Sequence, residues 1–79
     1  MNSSNRVIYL DENVLMVVTE KGVIKVLVTP FRVLCIASAD RVRVNHWYQV
    51  ERVIGKERLI FFVINRFTYS HSLFHIYVS

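Results

Sequence analysis

The chain has one cysteine, one proline and two glycines in 79 residues. Cys35 has no partner within the chain, so a disulfide scaffold is excluded and a reducing compartment is the simplest setting. Gly22 and Gly55 are too few to build a glycine-rich phosphate loop. No apolar run approaches the roughly 20 residues of a membrane-spanning helix, because Lys25, Arg32, Arg41 and later charges interrupt each one. The strands also read as shorter than the roughly 9–11 residues that cross a bilayer as β. Arg6 precedes only Val7 to Leu10 before Asp11 and Glu12 intervene, too short for a signal-peptide core. A soluble, cytoplasmic protein is the expectation. Runs of like charge are missing too. Ten basic and six acidic side chains are scattered along the chain, with a net charge of +4. That balance permits a polyanionic partner without demanding one.

What is present is apolar and rich in β-branched residues. Hydrophobic residues make up 53% of the chain, above the usual range of roughly 45–50%, which excludes disorder. The length allows one domain, and a domain this small buries a modest share of its surface. Residues 14–19 (VLMVVT) read as a strand, 20–22 as a turn with Gly22 free to take positive φ, and 23–28 (VIKVLV) as the returning arm of a hairpin. Pro30 ends it, since proline cannot donate to a ladder. Further strands are expected at 32–37, 47–54, 59–65 and 74–78, with short extended pieces at 7–10 and 42–44. Turns are expected at 38–40, at Asn45-His46, at 55–58 and at 65–68, and an irregular or three-ten segment at 69–73.

Short strands separated by polar turns indicate an all-β, antiparallel small barrel of about 5–7 strands, because closure removes vulnerable edges. Residues 1–31 form an N-terminal extension and hairpin, and 32–79 the barrel itself. Residues 14–18, 23–28 and 59–64 are apolar on both faces apart from Lys25, whereas a small-barrel strand should alternate. The surplus surface needs cover, either from the chain's own hairpin or from a homodimer or partner protein.

The segment from residue 32 onward resembles a group of small SH3-like β-barrel proteins of bacteriophage and bacterial mobile elements. The resemblance rests on Val33-Leu34-Cys35-Ile36, on Val44-Asn45-His46-Trp47-Tyr48-Gln49-Val50, on Phe62-Val63-Ile64-Asn65 and on Ser72-Leu73-Phe74. Asn45-His46 stands where the group usually has Gly-Lys, and the glycine expected after Asn65 is absent. The resemblance implies the fold and a phage origin. It carries no catalytic residue.

Residues 42–53 (VRVNHWYQVERV) concentrate arginine and aromatic side chains. The resemblance places Tyr48 and Val50 inward, so Trp47 points out with Gln49 and Glu51, beside Arg43 and near Arg41. Such a tryptophan is a hot-spot anchor for a protein partner, a stacking platform for unpaired bases, or a cap on the barrel end with Arg52 packed along it. The candidate binding residues are Arg41, Arg43, Trp47, Gln49 and Glu51. Tyr48, Val50, Ile36, Val63 and Phe74 are expected to be buried together.

Cys35, His46, His71 and His75 do not make a metal set. The spacing from His71 to His75 aligns two ligands on a helix, not on a segment that passes from turn to strand. No cofactor is implied. The acidic residues other than Glu51 sit in or beside turns, and Ser70, His71 and Ser72 would alternate faces on an extended chain. The expectation is a non-enzymatic protein-binding module, a phage-encoded protein that binds or inhibits a host protein in the host cytoplasm. The alternative is a nucleic-acid-binding barrel that uses Trp47 and the nearby arginines.

Overall fold

The chain makes its tight turns without glycine at almost every corner. In the computed structural model, which describes residues 6–77, the backbone takes positive φ at Glu57 and Arg58 (50° and 71°) and again at Asn65 and Arg66 (50° and 72°). Paired positive φ is the backbone of the two-residue turn whose twist matches antiparallel strands. Gly22 (82°) serves the same need in the turn between residues 18 and 24. The strands so joined are β1 (Arg6–Asp11), β2 (Val14–Val18), β3 (Ile24–Val28), β4 (Phe31–Cys35), β5 (Trp47–Val50), β6 (Arg52–Lys56), β7 (Leu59–Ile64), β8 (Phe67–Ser70) and, after a three-ten turn (His71–Leu73), β9 (Phe74–His75).

The all-β class is as expected. The strands divide among three antiparallel sheets, ordered β1-β2-β3, β5-β4-β9 and β6-β7-β8, and none closes on itself. The second and third sheets are joined where residues 47–54, expected as one strand, bend. The Glu51 N–H donates to the Val63 carbonyl at 2.8 Å, so the chain leaves β4 and begins pairing with β7 at that point. The bend breaks alternation. Val50 and Val53 are both fully buried, while Arg52, expected on the face of Tyr48 and Val50, turns out and pairs with Glu12 at 3.8 Å.

The N-terminal hairpin is the centre of a three-stranded sheet that closes the core. Leu15 and Val17 of β2 are fully buried in one cluster with Val33, Val50, Val53 and Phe62. The Val53 N–H donates to the Glu12 carbonyl at 2.8 Å. The radius of gyration is 11.7 Å, close to the roughly 12 Å of a compact chain this long, so the first sheet lies against the others instead of projecting. Gly55 is part of this contact. It lies within β6 and not in the turn expected there, and a Cβ on it would sit 2.6 Å from the Tyr9 ring. Phe62 is the aromatic hub, with Phe31 edge-on at 5.6 Å and Phe74 tilted at 6.0 Å.

Of the five expected core residues, Val50, Val63 and Phe74 are buried and Tyr48 is half-buried. Ile36 is not: it is 52% exposed. β4 turns Val33 and Cys35 inward, so alternation sends Ile36 out, and its N–H is held by the Leu73 carbonyl at 2.8 Å. Residues 42–44 reduce to a single bridge between Ala39 and Val42. Val78, at the end of the expected last strand, lies outside the described residues.

Two outcomes follow in chemical denaturation. Val50→Ala costs about 1–4 kcal/mol, as for truncation of a buried aliphatic side chain, and Ile36→Ala costs within about 0.5 kcal/mol, as at an exposed position. Gly55→Ala costs about 1–3 kcal/mol through overpacking against Tyr9, and most of that penalty disappears in a Tyr9→Ala background. An equal penalty in both backgrounds would exclude the ring as its cause.

Candidate functional site

The register of the second sheet builds one outward face from side chains far apart in sequence. Trp47 lies opposite Leu34, and Leu34 lies opposite His75, which makes a row of three across β5, β4 and β9. Gln49 lies opposite Arg32 in the next row. The Arg32 guanidinium stands 4.7 Å from the centre of the Trp47 ring, within the range of a cation–π contact. Tyr77 meets Trp47 at 5.5 Å and His75 at 4.2 Å. Trp47 is 47% exposed and Tyr77 59%. The cluster is therefore an arginine and aromatic surface that is internally stacked and open to solvent.

The candidate residues distribute unevenly around it. Trp47 and Gln49 share the face as expected. Glu51 is exposed at the bend, where its carboxylate accepts from the Asn65 N–H at 3.2 Å. The cation over the indole is Arg32, which sequence reasoning did not single out. The Arg41 guanidinium lies over the Phe67 ring at 4.5 Å and pairs with Asp40 at 3.7 Å. The Arg43 N–H donates to the Tyr48 hydroxyl at 2.9 Å, so Arg43 fixes the loop that precedes β5. Arg32 was detectable in principle: it stands in the expected third strand, but only the β4–β5 register brings it near Trp47. His75 likewise reaches the site through strand pairing, and Tyr77 lies two residues beyond it, just past β9.

The groups with chemical potential are spent on structure. The Cys35 thiol is buried and donates to the Ala37 carbonyl at 3.3 Å. Ser70 and Ser72 hydroxyls bond one another at 2.9 Å, and the Ser70 oxygen accepts from the Ser72 N–H at the start of the three-ten turn. Among the described residues, no three of His, Cys, Asp and Glu gather as metal ligands, and no helix is long and apolar enough to cross a membrane. An open groove of about 310 Å³ runs between β1 and the β6–β7 turn, lined by Val7, Tyr9, Lys56, Arg58 and Leu59 among others. No protein-family model, curated protein or solved structure matches the chain.

Burial acts on the titration of His71, at the start of the three-ten turn. The residue is half-buried, with its ring 6.2 Å from that of Phe62, and burial lowers its pKa from the ordinary imidazole value. The unfolded chain then binds a proton that the folded chain refuses. Stability contributed by neutral His71 is present above about pH 6.5 and is lost as pH falls from there toward the folded value. The urea midpoint is expected to drop between pH 7 and about pH 5.5, and His71→Leu to flatten that drop. An unchanged slope in the variant would assign the pH dependence to other groups.

Proposed function

We propose that this chain is a non-enzymatic protein-binding module of SH3-like organisation, phage-encoded, acting on a host protein in the host cytoplasm. The SH3-like part rests on the sequence resemblance over residues 32–79, and the three-ten turn at His71–Leu73 just before the last strand supports it. The observation that carries the functional reading is the Arg32–Trp47–Tyr77 cluster. Arginine, tryptophan and tyrosine are the residues that dominate interface hot spots, and here they stand stacked and exposed on one sheet. The stack holds them in place before any partner arrives, which lowers the ordering cost of binding.

A protein partner suits this face better than a nucleic acid. Bases stack on open aromatic faces, and one side of the Trp47 ring is taken by the Arg32 guanidinium at 4.7 Å. Glu51 sits exposed at the end of the same strand, where a phosphate chain would meet its charge.

Trp47→Ala is expected to leave the circular dichroism spectrum and denaturation midpoint nearly unchanged. It should weaken the partner complex by about 2 kcal/mol or more, the scale of an aromatic anchor. The measurement is a pull-down from bacterial lysate with and without nuclease, then titration calorimetry of the captured partner against both forms. Capture that nuclease abolishes, with an affinity that falls steeply in salt, would replace the protein partner with a nucleic acid.

A further inference from the structure

The first sheet has an outer face that none of the described residues covers. With Leu15 and Val17 turned into the core, the pairing of β1, β2 and β3 sets the opposite face in three rows. Ile8, Met16 and Val26 form the middle row, and Val14 with Val28 and Val18 with Ile24 form the flanking ones. All seven side chains are apolar. Val26, Val28 and Ile24 are 57%, 60% and 60% exposed. Charge appears only at the two ends of β1, where Arg6 lies opposite Val18 and Asp11 lies opposite Val14.

We infer that this face binds a second copy of the chain, as a two-fold dimer in which β1 stacks over β1 in the reverse direction. The inference uses different residues from the Trp47 cluster and does not depend on that reading. Three observations select the occupant.

The first is the charge pattern. A two-fold axis lying in the interface across the strands sets each strand over its own copy, reversed. Arg6 then faces Asp11 of the second copy, and the reciprocal pair forms at the other end. Met16 meets Met16 at the centre, and Ile24 meets Val28. An axis along the strands would instead set Arg6 over Ile24 and leave its charge unpaired in an apolar contact, which is costly. The surface is thus self-complementary in one arrangement, as an isologous contact requires.

The second is area. Ile8, Ile24, Val26 and Val28 are 36%, 60%, 57% and 60% exposed and Val14, Met16 and Val18 partly so, which puts two stacked copies near the roughly 1,000 Å² that a specific interface needs. That is the low end for a dimer, so a concentration-dependent association is expected.

The third is the edge of the sheet. β3 is an outer strand and could in principle extend the sheet sideways. Its one charge, Lys25, lies opposite Val17 on the inner side and is half-buried. An inward-pointing charge on an edge strand is a known block to edge pairing. The β3 edge is thus disfavoured, and the face offers the broad apolar surface for association; stacked sheets pack about 10 Å apart with such side chains interleaved.

The test is sedimentation of the full chain over a concentration series. The wild-type chain is expected to pass from monomer to dimer as concentration rises. Met16→Lys, which sets two ammonium groups against each other at the centre, should weaken dimerisation at least about 100-fold while the circular dichroism spectrum stays unchanged. Arg6→Glu alone and Asp11→Lys alone should each weaken self-association about tenfold. Mixing the two variants should restore dimers, because each then supplies the charge that the other lacks. A wild-type chain that stays monomeric at every concentration overturns the inference, and so does one that binds lipid vesicles as a monomer. A dimer that survives Met16→Lys places the contact elsewhere. Variants that fail to recover on mixing overturn the proposed register.

Discussion

A chain of this size can fill one core, and here that core is shared by three sheets. Leu15 and Val17 come from the first, Val33 and Val50 from the second, and Val53, Phe62 and Ile64 from the third. Each sheet brings one apolar face to a common centre, and among the described residues the outer faces of the first and second sheets stay partly exposed. The bend at Glu51 and the hydrogen bond from Val53 to Glu12 hold the sheets at their junctions. Tyr9 against Gly55 brings the first sheet into close approach. Dispersion and desolvation at one small centre thus set the arrangement, and the outer faces are left free to differ.

They do differ, in a physically consistent way. The outer face of the first sheet is aliphatic and charged only at its ends. Aliphatic side chains offer area but little direction, so they favour a stacked contact whose register must come from the end charges. The outer face of the second sheet is aromatic and cationic. Its ring contacts and the Arg32–Trp47 pair prescribe orientation, which suits recognition of an unlike surface. One small core therefore leaves an aliphatic face and an aromatic, cationic face at its surface without either costing it buried side chains.

Much of this was legible in the sequence, and the parts that were not share a cause. The strands at 14–18, 24–28 and 59–64 follow from β-branched runs and polar punctuation, and Gly22 and Asn45 take the positive φ expected of them (82° and 69°). The outward Trp47 follows from the pleat. The misread features depend on contacts distant in sequence. Nothing near Glu51 signals that Val63 will capture its N–H and turn the strand. Gly55 looks like a turn residue until Tyr9 is placed beside it. Asn65-Arg66 lacks the glycine that marks a two-residue turn, so β8 was read as loop. Ile36 is expected among the core residues, whereas the alternation of Val33 and Cys35 in β4 sets it outward. Arg32 joins Trp47 only through the β4–β5 register, which no local pattern encodes.

If both faces act, their combination has a consequence that neither has alone. A two-fold dimer built on the first sheet carries two Trp47 clusters related by the same axis. A partner that presents two copies of its own binding surface would then be engaged twice. The second contact becomes intramolecular, and avidity can exceed the single-site affinity by roughly 10²–10⁴ where the geometry allows both. A monomeric partner gains nothing from the arrangement. Concentration-dependent dimerisation would thus act as a filter for oligomeric targets: the module binds weakly as a monomer and tightly once its own concentration populates the dimer. That concentration dependence distinguishes a bivalent binder from a simple one, because loss of the first-sheet contact should lower affinity for an oligomeric target while leaving the Trp47 contact intact.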